Sequence, residues 1–299
     1  MTAKFSIGCL INKRLRDYKM RLQDIRDTSR FLLAFAKLQR SEVILYISYI
    51  LYVNLARLRV ASAKRGNLVA PMLIGGIQKT TLIDYPDKVA ATIFTIGCNF
   101  RCSFCHNPEL VKGIAKVIPE DEILDFLKKR KKLLDAVCIT GGEPTTQSGL
   151  FSFMKKLKKL GFAVKLDTNG AKPDMIERLL KAGVVDYIAM DIKAPWKRYK
   201  IVTGRDIDLE ALKKSVKLII GSGLPHEFRS TVLPGLHSKE DIIEMAKQVK
   251  GAEKYFLQQF LPAKKLVNAE FLKEKTYTKK ALTEILQEFK SDFKVCKVR

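Results

Sequence analysis

From Met72 onward, short runs of β-branched and apolar residues alternate with longer segments in which apolar positions recur at helical spacing and charges fill the remaining positions. The runs Ala90 to Ile96, Ala136 to Thr140, Ala163 to Thr168, Val185 to Asp191, Glu227 to Leu233 and Tyr255 to Phe260 predict strands. Between them, Pro119 to Leu134, Ser148 to Leu160, Pro173 to Ala182, Asp208 to Ser222 and Ser238 to Lys250 predict helices, with a last helix at Thr278 to Phe289. Pro119 and Pro173 fall where first-turn prolines belong, and Gly161, Gly183 and Gly251 fall just past helix ends. Six strand-then-helix units predict an α/β fold with a parallel sheet wrapped by helices, either open or curled into most of a barrel.

Residues 1–71 read differently. They hold 14 basic and 4 acidic side chains and one apolar stretch, Val43 to Ala56. That stretch falls short of the roughly 20 apolar residues a membrane helix needs, and Ser48 and Asn54 interrupt it, so no stable span is expected. The reading is a basic N-terminal extension, helical and packed or interfacial, or else an over-extended gene start with Met72 as the natural beginning. The expected division is therefore 1–71 and a working domain at 72–299.

Composition narrows the class. A 299-residue chain with 47% hydrophobic residues fills a sizeable core. Of six cysteines, three fall within eight residues and no secretory signal precedes them, which argues for reducing cytoplasm over a disulfide framework. Cys9, Cys138 and Cys296 read as buried or incidental thiols. The net charge of +24 invites a nucleic-acid hypothesis. Its distribution argues against one, because the basic residues recur in short groups along helical stretches such as Lys128 to Lys132 and Lys155 to Lys159, as on solvated helix faces.

The chemistry concentrates at predicted strand ends, where parallel β/α folds build their sites. Gly97-Cys98-Asn99-Phe100-Arg101-Cys102-Ser103-Phe104-Cys105-His106-Asn107 directly follows the first strand. A CxxxCxxC loop can wrap three sulfurs around one side of a cuboidal iron–sulfur cluster, which would leave one iron open, the mark of a catalytic site. Zinc held by the three thiols and His106 is disfavoured, since the adjacent Cys105 and His106 do not match zinc spacings. A Cys–His nucleophile leaves two thiols unexplained.

The next strand ends in Thr140-Gly141-Gly142-Glu143-Pro144, where glycines admit close backbone approach and a carboxylate can hold an ammonium group. The following ends carry Asp167-Thr168-Asn169-Gly170 and Asp191-Ile192-Lys193, with Asp191 and Lys193 on one strand face. Arg229 pairs either with a carboxylate of a bound cofactor or with a rim aspartate. His237 follows the next strand end in Pro234-Gly235-Leu236-His237.

CxxxCxxC with an aromatic residue before the last cysteine resembles the radical S-adenosylmethionine enzymes, and His106-Asn107 narrows the likeness to activating enzymes of glycyl-radical proteins. Leu82-Ile83-Asp84-Tyr85-Pro86 and Gln258-Gln259-Phe260 resemble the anaerobic ribonucleoside-triphosphate reductase activating proteins. The resemblance covers residues 72 to about 262. It implies an incomplete (β/α)6 TIM-like barrel, here with the N-terminal helical extension, and two cofactors, a 4Fe-4S cluster and S-adenosyl-L-methionine.

The likeness implies roles for named residues. Cys98, Cys102 and Cys105 would hold the cluster, with Phe104 and His106 beside the cofactors. Gly141, Gly142 and Glu143 would take the amino group of the methionine moiety. Asp191 and Lys193 would contact S-adenosylmethionine, Asp167 would help to bind it or a monovalent cation, and Arg229 and His237 would complete the site. The match at His237 is inexact, because pyruvate formate-lyase activating enzymes place a histidine further along, where this chain has Glu244 or its neighbours.

The implied activity is generation of a glycyl radical on a partner, an anaerobic ribonucleotide reductase, with a flavodoxin or ferredoxin as electron donor. Nucleic acid is not an expected partner. The alternatives are a radical S-adenosylmethionine enzyme acting on a small molecule, such as a deazapurine synthase, and a metal-containing nucleic-acid-binding protein.

Overall fold

The computed structural model describes residues 70–262 and 265–299. The basic segment with its expected helix at Val43 to Ala56, and Cys9, lie outside the described residues.

Eight strands form one sheet in chain order: β1 (Ile74–Thr81), β2 (Ala90–Thr95), β3 (Ala136–Gly141), β4 (Ala163–Thr168), β5 (Tyr187–Asp191), β6 (His226–Val232), β7 (Lys254–Gln259) and β8 (Val295–Val298). The six expected strands are β2 to β7, all mutually parallel. The sheet is larger than the six-unit reading. β1 adds antiparallel to β2, and β8 adds parallel to β7. β1 and β8 stand at opposite ends of the strand order, so the barrel remains open.

The helices are α1 (Pro108–Lys112), α2 (Glu120–Lys129), α3 (Leu150–Lys159), α4 (Pro173–Lys181), α5 (Tyr199–Thr203), α6 (Leu209–Gly221), α7 (Lys239–Lys247) and α8 (Lys279–Gln287). Pro173 occupies a first-turn position as expected, whereas Pro119 is the residue just before α2. The single-turn helices α1 and α5 lie in connections that the periodicity did not mark.

The two faces of the sheet differ sharply. Ala91, Ile93, Val137, Ile139, Val164, Leu166, Ile188, Met190, Phe228 and Leu257 pack in one core with the apolar sides of the helices, among them Leu127, Phe153, Leu157, Ile176, Leu212, Ile219 and Met245. The alternate positions point into the curve of the sheet. Register aligns Thr92, Cys138, Lys165 and Tyr187 across β2 to β5, and aligns Asp191 with Arg229 across β5 and β6. Parallel sheets ordinarily bury apolar residues on both faces, so a polar inner face needs a chemical reason. Its amino-terminal end is plugged by Tyr85, Ala90, Ala136 and Tyr187.

Candidate active site

The loop after β2 carries the three cysteines at the carboxyl ends of the strands. Arg101 fixes its first turn by donating to the carbonyls of Cys98 and Phe100 at 2.6 and 2.7 Å, and the Arg101 N–H donates to Thr203 of α5 at 2.7 Å. From the other side, the N–H groups of Val267 and Asn268 donate to the carbonyls of Cys105 and Ser103 at 3.1 and 3.0 Å. The loop is thus held between α5 and the segment after β7. Cys98, Cys102 and Cys105 are free thiols, and the Phe100 N–H lies 3.3 Å from the Cys98 sulfur.

Burial and then the Glu143 charge push the Cys98 thiol up to about 12. Burial pushes Cys102 up to about 11, with the Lys193 ammonium opposing it. Among the described residues no three His, Cys, Asp or Glu side chains converge on a single-ion position. Three thiols on one loop are a donor set that could hold three irons of a cuboidal cluster. Cys138 and Cys296 are buried in the sheet and add no fourth ligand to the loop.

The Gly141-Gly142-Glu143 turn packs directly on this loop. Glu143 N–H donates to the Gly97 carbonyl at 2.8 Å, and a Cβ on Gly142 would overlap that same carbonyl oxygen. Gly141 has φ 111°, a left-handed value natural to glycine, with Thr95 backbone against it. Glu143 is 1% exposed. One of its oxygens accepts from Thr145 N–H at 3.0 Å, from the Thr145 hydroxyl and from the Thr168 hydroxyl at 2.7 Å. The other accepts from Asn169 N–H at 2.7 Å. Burial raises its pKa against these bonds. The carboxylate therefore ties the β3 turn to the β4 turn, and it is the glycine backbone that faces the cysteine loop.

Across β4, β5 and β6 the inner face carries an unbroken charge ladder. Lys165 donates to Asp167 at 2.6 Å, and Arg229 donates from Nη1 to Asp167 at 3.0 Å and from Nε to Asp191 at 2.9 Å. Lys193 closes it on Asp191 at 2.9 Å. Burial alone would raise Asp191, yet Arg229 and Lys193 hold it well below the usual carboxylate range, and Asp167 is lowered in the same way by Arg229 and Lys165. Burial alone would lower Lys193, but the Asp191 charge holds it up. Deeper in, Glu227 accepts from Tyr187 at 3.1 Å and from both terminal nitrogens of Arg299 at 3.1 and 3.2 Å.

The expected residues thus gather as two groups, the cysteine loop with the glycine turn and the ladder through Asp167, Asp191, Lys193 and Arg229. Of the two pairings considered for Arg229, the structure shows the one with rim aspartates. His237 stands apart. It is fully buried, with Nε2 2.8 Å from the Lys193 carbonyl and Nδ1 3.4 Å from the Leu233 N–H. Its ring meets Phe104 edge-on at 6.2 Å, while His106 is exposed and tilted on Phe260 at 5.6 Å. Sequence reasoning missed Lys165 and named Asn169 only as part of the Asp167 to Gly170 turn. Asn169 donates to Asn99 at 2.8 Å, bridging the β4 turn to the cysteine loop. Alternation with Asp167 was the available signal for Lys165.

A glycyl-radical enzyme activating enzyme of Methanocaldococcus jannaschii is 37% identical over 209 residues, covering 67% of this chain and 85% of the relative. A GTP 3′,8-cyclase of Pyrococcus horikoshii is 27% identical over 197 residues, covering 64% and 61% respectively. Streptococcus suis SuiB bound to its precursor peptide SuiA has the same fold, with TM-score 0.56 and 17% identity over 82% of this chain; the chain spans 53% of that structure's length. The Radical SAM superfamily model matches residues 92–249, from the middle of β2 to just past α7, and so takes in both groups of side chains: the chain belongs to the radical SAM superfamily.

Proposed function

We propose that the chain is an activating enzyme that generates a glycyl radical on a partner protein, an anaerobic ribonucleoside-triphosphate reductase. The observation that carries the activating-enzyme reading is the 37% identity to the Methanocaldococcus jannaschii activating enzyme over 85% of that relative's length, while the choice of the reductase rests on the resemblance at Leu82 to Pro86 and Gln258 to Phe260. In this reading residues 72–299 are the working domain, and the sheet's open edge leaves room for a loop of the partner.

Superfamily members use a 4Fe-4S cluster and S-adenosylmethionine, and the residues present fit both. Cys98, Cys102 and Cys105 would hold the cluster, three free thiols on one loop that leave one iron open. When bound, the two groups supply one-electron reductive cleavage of a carbon–sulfur bond and hydrogen-atom abstraction. The chain's own part is binding and orientation. The backbone of Gly141 and Gly142 would receive the amino group beside the cysteine loop, with Glu143 fixing the turn from below. Asp191 and Lys193 would meet the polar edge of S-adenosylmethionine, while Arg229 and Asp167 hold them in place. The plug of Tyr85, Ala90, Ala136 and Tyr187 limits water entry from the amino-terminal end of the sheet.

The test is anaerobic reconstitution and reduction with S-adenosylmethionine in the presence of the reductase, read by electron resonance. A glycyl-radical doublet is expected; 5′-deoxyadenosine without a doublet refutes the partner. A second reading, action on a small molecule, draws on the similarity to the Pyrococcus horikoshii GTP 3′,8-cyclase. It predicts turnover of GTP or a related heterocycle with no protein partner present.

A further inference from the structure

Lys193 begins a corner whose backbone groups are paired largely with side chains. The Lys193 N–H donates to the Tyr199 hydroxyl at 3.1 Å, and the Lys193 carbonyl accepts from His237 Nε2 at 2.8 Å. One residue on, Gln248, with its amide oriented to satisfy both groups, donates to the Ala194 carbonyl at 3.2 Å and accepts from Trp196 N–H at 2.6 Å. Three separate elements thus grip residues 193–196: α5, the loop after β6 and the end of α7.

His237 is the member of this grip that reaches furthest. Because Nε2 faces a carbonyl it carries the proton, and Nδ1 then accepts from Leu233 N–H, so the ring is neutral with both nitrogens paired inside the protein. Its edge-on contact with Phe104 reaches the residue between Cys102 and Cys105. Its own carbonyl accepts from the Tyr277 hydroxyl at 2.6 Å, and the Tyr277 carbonyl accepts from Gln259 at 2.6 Å. The ring therefore meets the β5 corner, the cysteine loop and its own turn at once, and has no exposed surface for a ligand.

We infer that His237 is a positioning residue, which sets the height of Lys193 through its carbonyl and braces Phe104, and so keeps the cysteine loop and the ladder in register. This rests on the reading above that Lys193 meets S-adenosylmethionine. The geometry of side chains supplies a discriminating pair of variants. A glutamine amide nitrogen superposes on Nε2 and retains the bond to Lys193, whereas an asparagine reaches only the position of Nδ1.

The chain has a single tryptophan, Trp196, which stacks on Tyr199 at 5.4 Å, so its fluorescence reports the corner in the cofactor-free protein. His237→Asn is expected to shift Trp196 emission and, in the reconstituted enzyme, to raise KM for S-adenosylmethionine roughly tenfold with little change in kcat, the weight of one buried hydrogen bond. His237→Gln is expected to restore both. Tyr199→Phe, which frees the Lys193 N–H while leaving the stacked ring, moves both readouts in the direction of His237→Asn and serves if that variant does not fold. Equal behaviour of the Asn and Gln variants, or unchanged Trp196 emission in both His237→Asn and Tyr199→Phe, overturns the inference. If the wild type cleaves no S-adenosylmethionine, the functional reading fails while the fluorescence comparison still decides the role of His237.

Discussion

Replacing Arg229 with Met tests whether the ladder behaves as one buried unit. The change keeps most of the side-chain volume and removes two charge-assisted bonds, Nε to Asp191 at 2.9 Å and Nη1 to Asp167 at 3.0 Å. The Arg229 side chain is 13% exposed and that of Asp167 12%, so water restores little. Breaking a buried pair from one side costs about 3–5 kcal/mol. Each aspartate keeps a lysine, Lys165 at 2.6 Å and Lys193 at 2.9 Å, which places the expected loss near the lower bound, about 3 kcal/mol at pH 7. The sign with pH follows from the depressed aspartates. Their stabilisation is fully present above the unfolded carboxylate pKa, about 3.9, and is lost as pH falls through the lower folded values. Urea unfolding of wild type and variant should give a gap in midpoint, with slopes unchanged, that is widest near neutrality and narrows below about pH 4. A gap under about 1 kcal/mol, or one indifferent to pH, would refute the reasoning.

Glu143→Gln should cost about 1–3 kcal/mol, because an amide NH2 must then face either the Asn169 or the Thr145 N–H, and the check is a lowered thermal midpoint of the cofactor-free protein. Gly142→Ala drives a methyl into the Gly97 backbone and should lose more than about 2 kcal/mol, whereas at Gly76 the nearest atom to a new Cβ is a Phe94 side-chain carbon at 3.6 Å, and Gly76→Ala should be neutral or stabilise by up to about 1 kcal/mol. Serine at any one of Cys98, Cys102 or Cys105 should abolish retention of iron after anaerobic reconstitution, measured by metal analysis, while serine at Cys296 should leave it intact.

Local patterns carried the inner six strands because their β-branched runs alternate with amphipathic segments, the pattern of βαβ units in a parallel sheet. They did not carry β1, where Gly75 and Gly76 and three exposed positions suppress the strand pattern and pairing with β2 supplies the order. β8 is four residues long at the end of the chain, too short to register. The cysteine loop and glycine turn were legible because spacing within a few residues specifies them. The partners of the corner at 193–196 were not, since Tyr199 and His237 meet Lys193, and Gln248 meets Ala194 and Trp196, from three separate elements and only through backbone groups. Lys165 was hidden for another reason. A lysine in a strand ordinarily marks a solvated face, and only the curl of the sheet converts its 2% exposure into a paired interior charge.

That conversion explains why the ladder sits where it does. Along Lys165, Asp167, Arg229, Asp191 and Lys193 each charge has an opposite neighbour within 3.0 Å, so desolvation is offset pair by pair and the sequence of signs begins and ends on a lysine. The excess is one positive charge, and the terminal cation Lys193 is the one whose field reaches Cys102 and Cys105. A negatively charged sulfur centre on that loop would complete the alternation across the gap between the two groups of residues. Tyr85, Ala90, Ala136 and Tyr187 pack together at the opposite end of the strands from the cysteine loop. On the proposed reading, an anionic centre held by the cysteine loop would be favoured by the field of Lys193, which would tie the polarity of the sheet interior to the chemistry at its rim.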